Sequence, residues 1–132
     1  MRSLAILATL ALTGCTTPSL TQAPDWVAHF NEPFLTFESD GAALVLRSPQ
    51  EMDGRSIAAE RQDLPDGATF IGMLDPAAPE SRFRLTIRRG YCADDMAGLP
   101  FSHTAILERG AALELRPQTG CARLTTEPQP SE

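Results

Sequence analysis

Three Asp-Gly dipeptides, Asp40-Gly41, Asp53-Gly54 and Asp66-Gly67, stand 13 residues apart in the chain. Asp-Gly supplies the positive φ angles that two-residue hairpin turns require. Turns at that interval leave room for strands of several residues that fold back in series. The segments between the turns do not match one another, so the spacing is one of turns and not of a repeated sequence. The pattern reads as an antiparallel meander.

The first turn specifies a register. With Asp40 and Gly41 as the turn, Ser39 pairs with Ala42, Phe37 with Leu44 and Leu35 with Leu46. The large apolar residues then share one face, as half-buried strands require. Arg55–Gln62 and Ala68–Leu74 follow as further strands, and residues 75–81, with two prolines, form a loop. Alternation is cleanest at residues 81–89, where Phe83, Leu85 and Ile87 face inward between outward arginines. A last hairpin fits residues 103–116 around Arg109-Gly110, pairing Glu108 with Ala111 and Ile106 with Leu113. Residues 21–30 leave room for one helical turn, and no other stretch shows a capped helical period. The expected fold is all-β: about eight strands in an antiparallel meander that closes into a small barrel with one disulfide. A sandwich is the alternative.

Charge narrows the function classes. All 11 basic residues are arginine, against 17 acids, for a formal charge of −6. The absence of lysine excludes Schiff-base chemistry and a P-loop. An acidic chain with no basic block argues against nucleic acid as a partner. Apolar content of 42% with 21% charged residues suits a packed core.

The N-terminus reads as an address. Arg2 precedes an apolar run, residues 4–12, too short for the roughly 20 residues that span a bilayer. The run ends Leu12-Thr13-Gly14-Cys15, which resembles the lipobox of bacterial lipoproteins. By that resemblance residues 1–14 are a signal peptide and Cys15 becomes an acylated N-terminus that anchors the chain in a membrane. Thr16 follows Cys15, where inner-membrane retention usually uses Asp. That favours the outer membrane, facing the periplasm. Residues 15–25 are then a lipidated tether, residues 26–124 one β domain, and residues 125–132 a flexible tail.

With Cys15 acylated, Cys92 and Cys121 remain, and an oxidising compartment favours a disulfide between them. Two buried free thiols are the alternative. A metal site is disfavoured because two sulfurs with only His29 and His103 make no familiar zinc spacing. No metal or other cofactor is expected.

Three short motifs carry a family resemblance. Glu32-Pro33-Phe34 opens a strand, Cys92-Ala93-Asp94-Asp95-Met96 lies in an irregular loop, and Gly120-Cys121 closes the domain. Together they resemble a family of uncharacterised bacterial envelope proteins, often lipoproteins, with Glu-Pro-Phe-Trp, Cys-x-Asp-x-Met and late Gly-Cys motifs. Leu35 stands where that family usually has tryptophan, and Ala97 where serine commonly follows methionine. The resemblance spans roughly residues 26–124. It implies a β-rich fold and the disulfide, and it implies no activity. More distantly the layout is similar to the membrane-bound inhibitors of c-type lysozyme, whose Ser-Gly-x-x-Tyr type loop is missing here, and to META-domain heat-shock lipoproteins.

Candidate chemistry is sparse. Ser102 and His103 are adjacent, and strand neighbours point to opposite faces, so they are not expected to form a nucleophile–base pair. Asp94 and Asp95 offer carboxylates for a cation or for acid–base work, or serve as solvated turn residues. Arg82, Arg84 and Arg88 form a stripe that suits an anionic group, or pairs with Glu108 or Glu114 on neighbouring strands. Trp26, Phe30 and Phe34 form an aromatic cluster that reads as a core plug, with a ligand cage as the alternative. Met52, Met73 and Met96 are scattered. The functional expectation is a non-catalytic, lipid-anchored envelope protein with a binding or envelope-maintenance role, whose partner is an envelope protein or cell-wall component. Inhibition of a lytic enzyme such as lysozyme and a carboxylate-using hydrolase are the alternatives.

Overall fold

Alternation is cleanest in Arg82–Ala93, and there the side chains divide as the pleat demands. Phe83, Leu85 and Ile87 are fully buried, and the arginines between them face out. The computed structural model describes Gly14 and residues 23–131; residues 1–13 of the leader, Cys15, residues 16–22 and Glu132 lie outside the described residues. Its strands are β1 (Trp26–Asn31), β2 (Phe34–Asp40), β3 (Ala43–Ser48), β4 (Glu51–Leu64), β5 (Gly67–Met73), β6 (Arg82–Ala93), β7 (Pro100–Arg109) and β8 (Gln118–Leu124). Each strand pairs antiparallel with the next, and β1 pairs with β8, so the sheet closes into an eight-stranded barrel. A sandwich is ruled out.

The interior is filled by side chains. Phe37, Phe70, Phe83, Leu44, Leu85 and Leu107 are each at most 1% exposed. Burial of side chains this large stabilises the fold by about 1.5–3 kcal/mol each. Arg61 is a charged residue on the inward face, its side chain 8% exposed. Arg61 pairs with Phe70 and shares its face, holding its guanidinium 5.5 Å from the ring centroid. It donates to the carbonyls of Gly41 (2.9 Å) and Pro24 and reaches Asp25 Oδ1 at 3.4 Å. Asp25 Oδ1 also accepts from Gly41 N at 2.9 Å and Ser39 Oγ at 3.2 Å, and Ser39 Oγ accepts from Trp26 N at 2.8 Å. This network satisfies the Arg61 guanidinium, the Asp25 carboxylate and the Ser39 hydroxyl at one end of the barrel, though the buried Trp26 Nε1 finds no partner among the described residues.

None of the three Asp-Gly pairs forms the expected two-residue turn. The first hairpin turns at Gly41-Ala42, so Ser39 pairs with Leu44 and Phe37 with Leu46. Every β2 residue thus pairs two places further along β3 than expected, and a slip of two keeps all side chains on their intended faces. Gly41, at φ 61°, occupies the first central position, the type II′ pattern. The next reversal falls at Pro49-Gln50, which places Asp53-Gly54 inside β4. Gly54, at φ 87°, lies where the β3–β4 register shifts, and it accommodates a bulge there. The third reversal uses Pro65-Asp66, and Gly67 opens β5. A Cβ on Gly67 would lie 1.8 Å from the Ile87 carbonyl oxygen, so this glycine serves close strand approach.

Two further expectations are corrected. Residues 26–31 form β1 and no helical turn. Its alternation is hidden because Val27 is buried on the outer face while Trp26, Ala28 and Phe30 enter the core. The hairpin over residues 103–116 does not form. β7 pairs instead with β8, Thr104 opposite Cys121 and Leu107 opposite Gln118. The expected register would have aimed Ala112, Glu114 and Arg116 inward; the observed one sets Gln118 opposite Leu107, Gly120 opposite Ala105 and buried Ala122 opposite His103. Residues 110–117 are a loop, with Leu113 at φ 57° and the Glu114 carboxylate accepting from Ala112 N at 2.8 Å. Residues 75–81 form the expected proline-containing loop, with a short 3-10 turn at Pro79–Ser81.

Candidate functional site

The site begins with a departure from the flat ladder. In β6 the register with β7 shifts between Arg89 and Cys92. Cys92 pairs with Phe101 on β7, whereas Cys121 on β8 lies opposite Thr104. Within an undistorted sheet that places the two cysteines two strands and three residues apart, about 14 Å. Their Cα atoms are 5.5 Å apart, joined by the Cys92–Cys121 disulfide. The tip of the β6–β7 hairpin therefore leaves the sheet and folds back over β8 and β1. It lies on the outer face: Ala28 and Phe30 point into the core, while His29 and Asn31 point outward and meet the tip. Asn31 Nδ2 donates to Asp94 Oδ1 at 3.0 Å, and the rings of His29 and Phe101 are 5.8 Å apart.

Between that tip and the outer face of β1–β3 lies a groove of about 390 Å³. Phe34, Leu35, Met52, Leu99 and Phe101 supply its apolar walls. His29, Asn31, Thr36, Arg47 and Asp94 supply its polar groups. Phe34 and Met52 are 52% and 74% exposed, so the rim presents apolar surface to solvent. The segment after β8, read from sequence as a free tail, is bound to the barrel. Thr125 N donates to the Asp25 carbonyl (3.0 Å), and Glu127 accepts from Arg123 at its carbonyl (2.9 Å) and from Ser102 at Oε2 (2.6 Å). Gln129 and Pro130 then line the groove.

The electrostatics of the groove are simple. Burial, followed by the nearby Arg123 cation, holds His29 below the usual histidine range, against the pull of Asp94. His29 Nδ1 lies 3.2 Å from Thr36 Oγ1. Arg47 is tied to Glu38 at 2.7 Å. Asp94 is held below the usual carboxylate range by the backbone N–H of Met96, the Asn31 amide and the N–H of Ala97. It caps the turn at the hairpin tip and lines the groove's polar end.

The quoted motif residues converge at this place. Phe34 forms the groove rim, Asp94 its polar end, and Met96 N caps Asp94. The Glu32-Pro33 peptide is cis, and the Glu32 carbonyl accepts from Gln118. Gly120 lets β8 approach β1: a Cβ there would lie 2.2 Å from the His29 carbonyl oxygen. Asp94 and Asp95 meet in an adjoining hollow of about 60 Å³, which shares His29, Asn31 and Asp94 with the groove; Asp95 does not line the groove itself.

Other candidates are engaged elsewhere. Arg84 forms a bidentate pair with Glu108 (2.6 and 3.0 Å), and Arg88 meets Asp66 at 3.3 Å. Arg82 has only a long 3.5 Å contact to the Ala111 carbonyl. Of the aromatic cluster, Trp26 and Phe30 are core and Phe34 is not. Ser102 and His103 correct an expectation: Ser102 Oγ lies 2.7 Å from His103 Nδ1. Both atoms sit close to the backbone, and the hairpin bends here, so opposite-facing neighbours still reach one another. The Ser102 proton goes to Glu127, and His103 is buried with its ring 4.6 Å from that of Trp26. Among the described residues no group of three His, Cys, Asp or Glu side chains is placed to hold a metal ion. His29, Asn31, Thr36 and Phe101 were not singled out as a site from sequence; the one local signal for the first three was their proximity to Glu32-Pro33-Phe34, and Phe101 had none. Comparison with known proteins finds no matching family model, no matching curated protein and no matching solved structure.

Proposed function

We propose that this chain is a non-catalytic, lipid-anchored envelope domain and that the outer-face groove is its binding site. The observation that carries the reading is a groove of about 390 Å³ with apolar walls on a barrel whose interior is filled. Ligand sites of this kind are concave, mostly apolar and few per protein. The lipobox-like Leu12-Thr13-Gly14-Cys15 supports the anchor, and with it a periplasm-facing position at the outer membrane. A binding role fits better than hydrolysis because Asp94 Oδ1 is committed to a turn and the hollow that holds both acids, about 60 Å³, is far smaller than the groove.

Two measurements test the two halves. Cys15→Ser is expected to leave the precursor uncleaved and to release no lipid-bearing product; normal processing and membrane retention would defeat the anchor. A photo-reactive residue at Met52, on the groove rim, is expected to capture an envelope component that the same residue at exposed Leu115 does not. Identical products from both positions would defeat the groove.

A further inference from the structure

The groove has a charge signature that narrows its ligand, an inference that rests on the groove being the binding site. Arg47 is neutralised by Glu38 at 2.7 Å. His29 is held neutral by burial. Asp94 is the carboxylate of the groove wall, and its two oxygens differ. Oδ1 accepts from Asn31 Nδ2 (3.0 Å), Met96 N (2.7 Å) and Ala97 N (3.3 Å). Oδ2 accepts no hydrogen bond among the described residues. A carboxylate oxygen beside apolar walls is best met by a charged donor. A fatty acid or other anion would instead bring like charge against it.

The fold also limits how a partner can dock. A closed barrel offers no free edge, so a peptide cannot add a strand, and recognition must pass through side chains. Exposed apolar residues frame the groove, with Phe34 and Met52 on its rim, and Met96 (70% exposed), outside its lining, adds to them two residues from Asp94. Apolar surface wider than the groove fits a polypeptide better than a small amine, and flexible methionines adapt to varied side chains. The chain's formal charge of −6 favours encounter with a basic partner.

We propose that the groove takes an apolar side chain of a partner polypeptide together with an adjacent arginine or lysine, whose cation meets Asp94 Oδ2. Phe34, Leu99 and Phe101 hold the apolar group; Asp94 selects the charge. The tip that carries Asp94 is fixed by the disulfide and by Asn31, so the carboxylate is placed before the partner arrives.

The test uses the isotope-labelled full-length protein and three capped peptides, identical and apolar apart from a single Arg, Gln or Glu, with octylammonium as a fourth probe. Chemical-shift changes at groove residues report binding. The expected result is tightest binding of the Arg peptide, by about tenfold over Gln, with Glu weakest. Asp94→Asn keeps an acceptor for the turn and removes the charge, so it should erase the Arg preference while Gln binding persists. Met52→Ala should weaken all three peptides. Equal binding of Arg, Gln and Glu peptides would overturn the charge assignment and leave the groove as a binding site. Binding of octylammonium but of no peptide would overturn the choice of partner. Failure of every probe to shift groove residues would overturn the groove itself.

Discussion

At the scale of single residues, the glycines carry the strictest demands, each for its own reason. Gly67→Ala places a methyl group against the Ile87 carbonyl oxygen, and a backbone atom cannot step aside as a side-chain tip can. We expect a loss of about 1–3 kcal/mol by overpacking, read as a lowered urea midpoint. A wild-type midpoint in that variant would contradict the close β5–β6 approach. The two histidines give a second residue-level prediction. Burial is the first cause of depression for both His29 and His103, so each holds its proton less tightly folded than unfolded. As pH falls through about 6.5 the unfolded chain gains protons first, and stability declines until the lower folded-state midpoints are passed. The depressed Asp94 and Glu108 act the same way lower down, their contribution present above about pH 4 and lost as pH falls further. Imidazole proton resonances titrating below about 6.5 would bear this out for His29 and His103. Midpoints above that value would reverse the sign.

At the scale of elements, the β6–β7 hairpin decides the site. Replacing both cysteines with alanine removes a link across 29 residues, for which the chain-entropy model gives about 3–4 kcal/mol. The same double variant should release the tip, and resonances of Asn31 and Leu99 should then change more than those of the distant β4–β5 turn. Uniform changes, or none, would mean that the tip is held by its other contacts. This hairpin also marks where the sequence stops being legible. The inward Phe83, Leu85 and Ile87 were plain from alternation, because half-buried strands write their faces into the chain. The meander followed from turn spacing, although of the three glycines only Gly41 sits in a turn, and Gly54 and Gly67 serve other ends. The bend at residues 89–92 left no comparable trace, since it depends on the covalent pull of Cys92 toward a strand that is not its neighbour. Hence the groove, which needs that bend, was invisible, and only the company of Phe34, Asp94 and Gly120 in one set of motifs pointed toward it. Over residues 110–117, Leu113 and Leu115 imitated a strand, and Glu114 and Arg116, which that register would aim inward, show why no strand formed there.

At the scale of the whole molecule, the ends of the domain are joined. Trp26 pairs with Leu124, and Thr125 continues the contact to Asp25. The segment beyond is fastened by Glu127 to Ser102 and Arg123 before Gln129 and Pro130 reach the groove. Glu127→Gln should weaken that fastening, with faster amide exchange at Thr125 and Glu127 and little change in global stability, under about 1 kcal/mol. Unchanged exchange would show that the carboxylate charge contributes nothing to holding the segment. The pairing of β1 with β8 has a consequence in time. A chain emerging with its N-terminus first can form hairpins as it appears, but its first strand must wait for residues 118–124 before the sheet closes. Loop-closure entropy is offset only at that last step, so cooperative folding belongs to the finished chain. Until then Trp26, Ala28 and Phe30 remain open to whatever else is nearby, and the acidic, lysine-free sequence around them keeps such intermediates apart by mutual repulsion.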